Sequence, residues 1–255
     1  MKFLISIFII SNTLFGFSAL PTNYAMAREY SNGLLLQALK DYNLTTVYSN
    51  ISITYKVNTN TKSFTLKFES QILLIPAVDL YTSKKYESRS GIIEWEHVVP
   101  ASVLVNVYDD AKKAWNKGHP SCVTSSGKVY KGRVCAEKVS PRFNVILADL
   151  YNLQPALGSL NALRSDKPYC EVQGEKREFG ETIDFEISNA CAEPRDAIKG
   201  DLARIMLYMN KKYGVQFNNH DNTMKMLKAW DIMDPIDVWE TKKREILSKT
   251  YNMTF

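Results

Sequence analysis

Residues 91–100 read GIIEWEHVVP, an apolar run bounded by Gly91 and Pro100 with an acid and an imidazole side by side near its end. Gly and Pro punctuate such runs, so the stretch predicts a strand that stops at Pro100. Successive side chains on a pleat point to opposite faces, so Glu96 and His97 reach one cleft only if a turn or bulge near Pro100 re-aims the chain. In that arrangement the carboxylate suits a hard metal ion and the neutral imidazole suits a water. Taken alone, the dipeptide is better met by a surface Glu beside a half-buried His. The chain's other histidines, His119 and His220, have no assignable role and are expected at surface or core positions.

Outward from this strand the period changes several times. Residues 101–141 carry Gly118, Pro120, Gly127 and Gly132 and read as a long loop, a kind of segment that is usually functional. From Phe143 to Leu163 the apolar residues Val145, Ile146, Leu150, Leu153, Leu157 and Leu160 recur mostly three and four apart, which predicts a helical region with Pro155 in a first turn or at a break. Inside it Asp149 is an N-cap candidate, and Asn152 offers a neutral oxygen to a metal. Upstream, Leu34, Leu35, Ala38 and Leu39 predict a helix over 28–43, capped by Ser31 or Asn32. Ile51, Ile53, Tyr55 and Val57 then alternate with polar residues, as do Phe64, Leu66 and Phe68, which is a hairpin signature. Its Lys56, Lys62 and Lys67 form either a solvated face or a phosphate-facing one. The last third is helical. Leu202, Ile205, Met206 and Met209 make a stripe ending at Gly214, Met226, Leu227 and Trp230 belong to a second segment, and Asp234-Pro235 opens a third with Pro at its first position. With no internal repeat or low-complexity linker, the pattern is one α+β domain.

Composition bounds the answer. Of 255 residues 45% are hydrophobic and 23% charged, which excludes fibrous and disordered classes. A net charge of +5 permits a polyanionic partner without naming one. Residues 1–17, MKFLISIFIISNTLFGF, followed by Ala25-Met26-Ala27, read as a secretory signal peptide over 1–27, leaving 28–255 as the folded domain. No later run approaches the roughly 18 apolar residues of a membrane span, so no membrane contact is expected after cleavage. Export favours disulfides. Four Cys allow three connectivities, of which the sequence-local pairs Cys122–Cys135 and Cys170–Cys191 are favoured.

Four ordered blocks carry a resemblance. Glu94-Trp95-Glu96-His97-Val98-Val99-Pro100-Ala101, Gly132-Arg133-Val134-Cys135, ADLYNLQPALGSLNALR at 148–164, and the run from Pro194 through Gly200 to Met209 are similar in order and spacing to the bacterial endonuclease I family. The resemblance implies a ββα-metal core between a helical N-terminus and a helical C-terminal third. It also implies metal-assisted hydrolysis of DNA, and of RNA, with little sequence preference and 5′-phosphate products. His97 would be the general base, Arg133 the contact to the scissile phosphate, and Glu96 and Asn152 the holders of Mg²⁺, for which Mn²⁺ or Ca²⁺ could substitute. Asn161 and Arg164 match the pattern as phosphate-binding or supporting residues. Substrates would be gripped through their backbones by a monomeric, periplasmic or secreted protein. Two departures stand out: no Cys lies between Arg28 and Gly91, where family members often have some, and the Gly-Arg block is one residue shorter before its Cys. The rival readings are a secreted basic domain that binds nucleic acid without cutting it, and an interaction protein whose Glu-His pair is structural.

Overall fold

The structure is a computed structural model that describes residues 19–38, 48, 53–58, 63–68, 84–89, 93–174, 179 and 183–255. Residues 1–18 of the signal-peptide reading, residues 39–43 of the first expected helix and Lys62 lie outside the described residues, as do the side chains of Lys56 and Lys67.

Helix α1 (Tyr24–Ala38) opens the described chain. Its N-cap is Asn23, whose Oδ1 accepts from the Met26 amide at 3.0 Å, so the helix starts before the expected Ser31 or Asn32. The boundary expected after Ala27 therefore falls inside α1, at a residue with no exposed surface. The predicted hairpin is present as β1 (Ile53–Asn58) paired antiparallel with β2 (Ser63–Phe68). Residues Lys84–Arg89 form a 3₁₀ turn that leads toward β3 (Ile93–His97).

The stretch after Pro100 departs from the loop reading. It folds as α2 (Ala101–Leu104), a 3₁₀ turn at Val105–Val107, α3 (Asp109–Lys117) and α4 (Arg133–Val139), with 118–132 as the long irregular stretch. Helix α3 carries Asp109 and Asp110 in its first turn and Lys117 in its last, which complements the helix dipole. These helices have only four to nine residues, so their apolar period has too few turns to register in the sequence.

The helical region expected over 143–163 is also three kinds of structure. Helix α5 (Pro141–Leu147), capped by Ser140, is followed by a 3₁₀ turn at Leu150–Asn152, the strand β4 (Leu153–Leu157) and helix α6 (Gly158–Arg164). Pro155 sits in β4 opposite Trp95, and a two-stranded sheet leaves an open edge where its missing N–H costs no ladder bond. Antiparallel β3 and β4 pair Ile93 with Leu157 and His97 with Leu153, and α6 follows at once, which makes the ββα unit. Gly158 permits this approach: a Cβ there would lie 2.5 Å from the Arg89 carbonyl oxygen and 3.0 Å from Glu94 Cδ.

Strands β5 (Phe185–Ile187) and β6 (Ala192–Pro194) form a third two-stranded sheet among the described residues. Helices α7 (Lys199–Tyr213), α8 (His220–Met233) and α9 (Val238–Tyr251) complete the α+β domain. Gly214 ends α7 in the left-handed conformation, as its position in the stripe predicts. Pro235 precedes α9, which is capped by Asp237 through the Glu240 amide, so the last helix starts three residues later than the sequence reading has it. The core joins Leu153, Leu157 and Leu160 of the ββα unit to Leu202, Met209, Trp230 and Leu247 of the C-terminal helices. Disulfide Cys122–Cys135 lies in the connection between β3 and β4, and Cys170–Cys191 ties the chain after α6 to the start of β6. Among the described residues no helix is long and apolar enough to cross a membrane.

Candidate active site

Alternation on β3 places Glu94 and Glu96 on one face, and α6 lies against that face with Asn161 and Arg164 one turn apart. Asn161 Nδ2 donates to Glu94 Oε2 at 2.8 Å, while Arg89 grips the same carboxylate through Nε and Nη2. Arg164 is buried. It donates through Nη1 to Glu96 Oε1 at 2.7 Å and to the His97 carbonyl, and through Nη2 to the Val98 carbonyl. It thereby fixes the strand end that carries the Glu-His pair. With 1% of its side chain exposed it is placed as support and does not face solvent.

Tyr48 donates a second hydrogen bond to Glu96 Oε1 at 2.6 Å. Burial pushes the Glu96 carboxyl above its ordinary pKa, and Arg164 and Tyr48 pull against that shift. A carboxylate desolvated this far is one that a cation at its other oxygen would hold in the charged form.

His97 reaches the same cleft from the last position of β3, just before the chain turns at Pro100. Its Nε2 lies 2.8 Å from the Leu147 carbonyl oxygen. A carbonyl only accepts, so Nε2 carries the hydrogen and Nδ1 keeps the lone pair. Burial, reinforced by the Arg133 charge, lowers its pKa to about 4 although the Leu147 bond opposes the shift. The imidazole is therefore neutral at neutral pH.

The cleft has a volume of about 880 Å³ and is lined by Glu94, Glu96, His97, Arg133 and Asn161 among others. Arg133 opens α4, directly after Gly132, whose φ of 92° is the left-handed region that a side chain would strain. Its Nε donates to Glu137 at 2.6 Å, and its guanidinium lies 4.9 Å above the Tyr24 ring. The Cys122–Cys135 bridge ties the preceding loop to the turn that carries Arg133.

Asn152 is placed elsewhere. It has no exposed surface and does not line the cleft. Its Oδ1 accepts from the Val99 amide at 2.8 Å and its Nδ2 donates to the Val99 carbonyl at 3.1 Å, so both ends of the amide are engaged in holding the turn after His97. Two amides line the cleft with Glu96 and His97, Asn32 and Asn161, and the Asn32 Oδ1 already accepts from Trp95 Nε1. His119 is exposed beside Ser121, and His220 accepts from the Phe217 amide at the start of α8; neither lines the cleft.

Sequence reasoning passed over Glu94, Arg89, Tyr48 and Tyr24. The Glu94-Trp95-Glu96 alternation was the available signal for Glu94, since two carboxylates at i and i+2 must share a strand face. Tyr24 fell within the segment read as a leader. Tyr48 and Arg89 have no local signal.

The family model described as Endonuclease I matches residues 22–253 of this chain. A protein named Endonuclease-1 from Buchnera aphidicola subsp. Acyrthosiphon pisum is 30% identical over 169 residues, covering 66% of this chain and 59% of that protein. A periplasmic deoxyribonuclease from Aeromonas hydrophila is 29% identical over 178 residues, covering 68% of this chain and 66% of its own. An extracellular ribonuclease from Bacillus subtilis is 25% identical over 118 residues, or 40% of each. The chain thus spans less than two thirds of the first two relatives' lengths.

Proposed function

The chain belongs to the endonuclease I family, and from that membership and the geometry of the cleft we propose that it hydrolyses phosphodiester bonds of nucleic acid with the help of a divalent cation. The observation that carries the reading is the pinned imidazole. His97 gives Nε2 to the Leu147 carbonyl and keeps Nδ1 as a base, in a cleft it shares with Glu96, Asn161 and Arg133.

The donor set suits a hard cation. Glu96 and Asn161 supply carboxylate and amide oxygens, which fit Mg²⁺, and also Mn²⁺ or Ca²⁺, better than a metal that prefers sulfur or nitrogen. Among the described residues no three His, Cys, Asp or Glu side chains gather around one point, so most coordination positions would be left to water and phosphate. Asn161 takes the place that the sequence assigns to Asn152, because the Asn152 amide is already engaged at both ends. The cation, when bound, supplies positive charge against the charge that develops on phosphate and leaving oxygen.

His97 Nδ1 takes the proton from the attacking water, and the Leu147 carbonyl steadies the imidazolium that forms. Arg133 neutralises a non-bridging phosphate oxygen with the nitrogens that Glu137 leaves open. Arg164 holds Glu96 and the His97 and Val98 carbonyls, and so keeps base and carboxylate in register. Contacts limited to phosphates carry no sequence information, so cutting would be indifferent to sequence and binding would weaken as salt rises.

DNA is the substrate we favour, since relatives are named deoxyribonucleases, with RNA also cut. Two disulfides and the names of the relatives support a periplasmic or extracellular place of action. Plasmid incubated with the exported protein and Mg²⁺ tests the reading. Nicking that stops with chelator is expected; a gel shift without nicking would leave a binding module, and neither effect would leave an interaction protein.

A further inference from the structure

We propose that Tyr24 is a positioning residue of the active site, and that the segment carrying it therefore stays in the mature protein, with leader processing falling upstream of it. This rests on the hydrolase reading above.

Tyr24 touches three parts of the site at once. Its ring lies 4.7 Å from the His97 ring, centroid to centroid, at 40°. The Arg133 guanidinium sits 4.9 Å over the same ring. Its hydroxyl donates to the Trp95 carbonyl at 3.0 Å, which fastens it to β3 two residues before the base. One aromatic side chain thus fixes the plane of the imidazole and the position of the guanidinium. Arg133 and the imidazolium formed in the reaction are like charges, and the ring's negative face attracts both.

The helix that presents Tyr24 is part of the fold. Ala27, Tyr30, Leu34 and Leu35 are buried, and Tyr30 stacks on Tyr251 of α9 at 5.6 Å. Asn32 Oδ1 accepts from Trp95 Nε1 at 2.7 Å, a second bolt between α1 and β3. Cleavage after Ala27 would remove Tyr24, the Asn23 cap and the first turn of α1 together. His97 would then lose its ring neighbour, and Arg133 would keep only Glu137.

The test has two arms, both on the full chain exported with its own leader. Intact mass of the mature protein is expected to place its first residue at or before Tyr24; a mature chain beginning at Arg28 that cuts plasmid would overturn the inference. In the second arm Tyr24→Leu keeps apolar bulk and Tyr24→Phe keeps the ring. Tyr24→Leu should melt close to wild type yet show kcat lowered and KM raised, together about 100-fold in kcat/KM, the scale of a misplacement of about 1 Å at a reacting centre. Tyr24→Phe should restore kcat/KM to within about threefold of wild type, as expected for loss of one hydrogen bond worth about 0.5 kcal/mol. Wild type that nicks with an equally active Tyr24→Leu would remove this inference alone. A wild-type chain that leaves plasmid intact would remove the hydrolase reading and the inference with it.

Discussion

Residues 149–152 and 158–164 are near neighbours in sequence and each carries an asparagine, but the first stretch keeps its polar groups inside the fold while Asn161 of the second lines the cleft. Asp149 Oδ2 accepts from the Tyr208 hydroxyl at 2.9 Å, Lys212 Nζ at 2.9 Å and the Tyr213 hydroxyl at 2.7 Å, while its Oδ1 accepts from the Tyr151 amide. Asn152 spends both ends of its amide on Val99. In the second stretch Asn161 spends its amide nitrogen on Glu94 and lines the cleft. A polar side chain can serve a ligand only where a ligand can reach it, so buried Asn152 holds the turn at Val99 while Asn161 is accessible from the cleft.

The contrast is sharpened most strongly at His97, which belongs to the open side. His97→Ala should lower turnover about a thousandfold, within the range of a general base, while plasmid affinity measured in Ca²⁺ stays near wild type. Undiminished cutting would take the imidazole out of the chemistry. On the buried side of the same cleft, Arg164→Met should cost about 3–5 kcal/mol of stability, because it strands Glu96 without its partner, and denaturant melts would read the loss directly.

The bridge beside Arg133 comes next. Replacing Cys122 and Cys135 together by Ala should cost about 3 kcal/mol through the unfolded chain, with a rise in KM as the loop before Arg133 loosens. An unchanged KM in a chain that melts lower would confine the bridge to stability.

The two asparagines give the direct comparison. Asn152→Ala should lower stability by about 2 kcal/mol, since it leaves the Val99 amide and carbonyl unpaired. Asn161→Ala should melt close to wild type yet need more Mg²⁺ to reach half its maximal rate. The reverse pattern would return the ligand role to Asn152.

A further effect is one of pH. The His97 pKa is lowered to about 4 in the fold, against about 6.5 in an unfolded chain. Between those values the unfolded state binds more protons, so this group's contribution is present above pH 6.5 and is lost as pH falls toward 4. Chelator-treated His97→Gln should therefore lose less stability over that interval than wild type. Parallel melting curves for the two proteins would contradict it.

Some features were legible because they are local. A strand ending before Pro100, a hairpin at 53–68 and a stop at Gly214 depend on neighbours within a few residues, and the cysteines that pair are the nearer ones, 13 and 21 residues apart. The helical reading of 143–163 failed for a complementary reason. Apolar residues three and four apart arise equally from a helix, a turn and a strand laid end to end, and Pro155 was the one residue that marked the change.

By itself the sequence determined the chemical vocabulary: a Glu-His pair at a strand end, two amides and two arginines in ordered blocks, and cysteines close enough to bridge. Tertiary structure decided which of these are spent. Leu147 selects the nitrogen on which His97 keeps its lone pair, Val99 withdraws Asn152 from the cleft, Glu96 and two carbonyls claim Arg164, and Tyr24 arrives from the far end of the chain. These partners lie roughly 50 to 75 positions away in sequence, and no local pattern records them. A hydrogen-bonding group becomes scaffold or site according to what folding sets within about 3 Å of it.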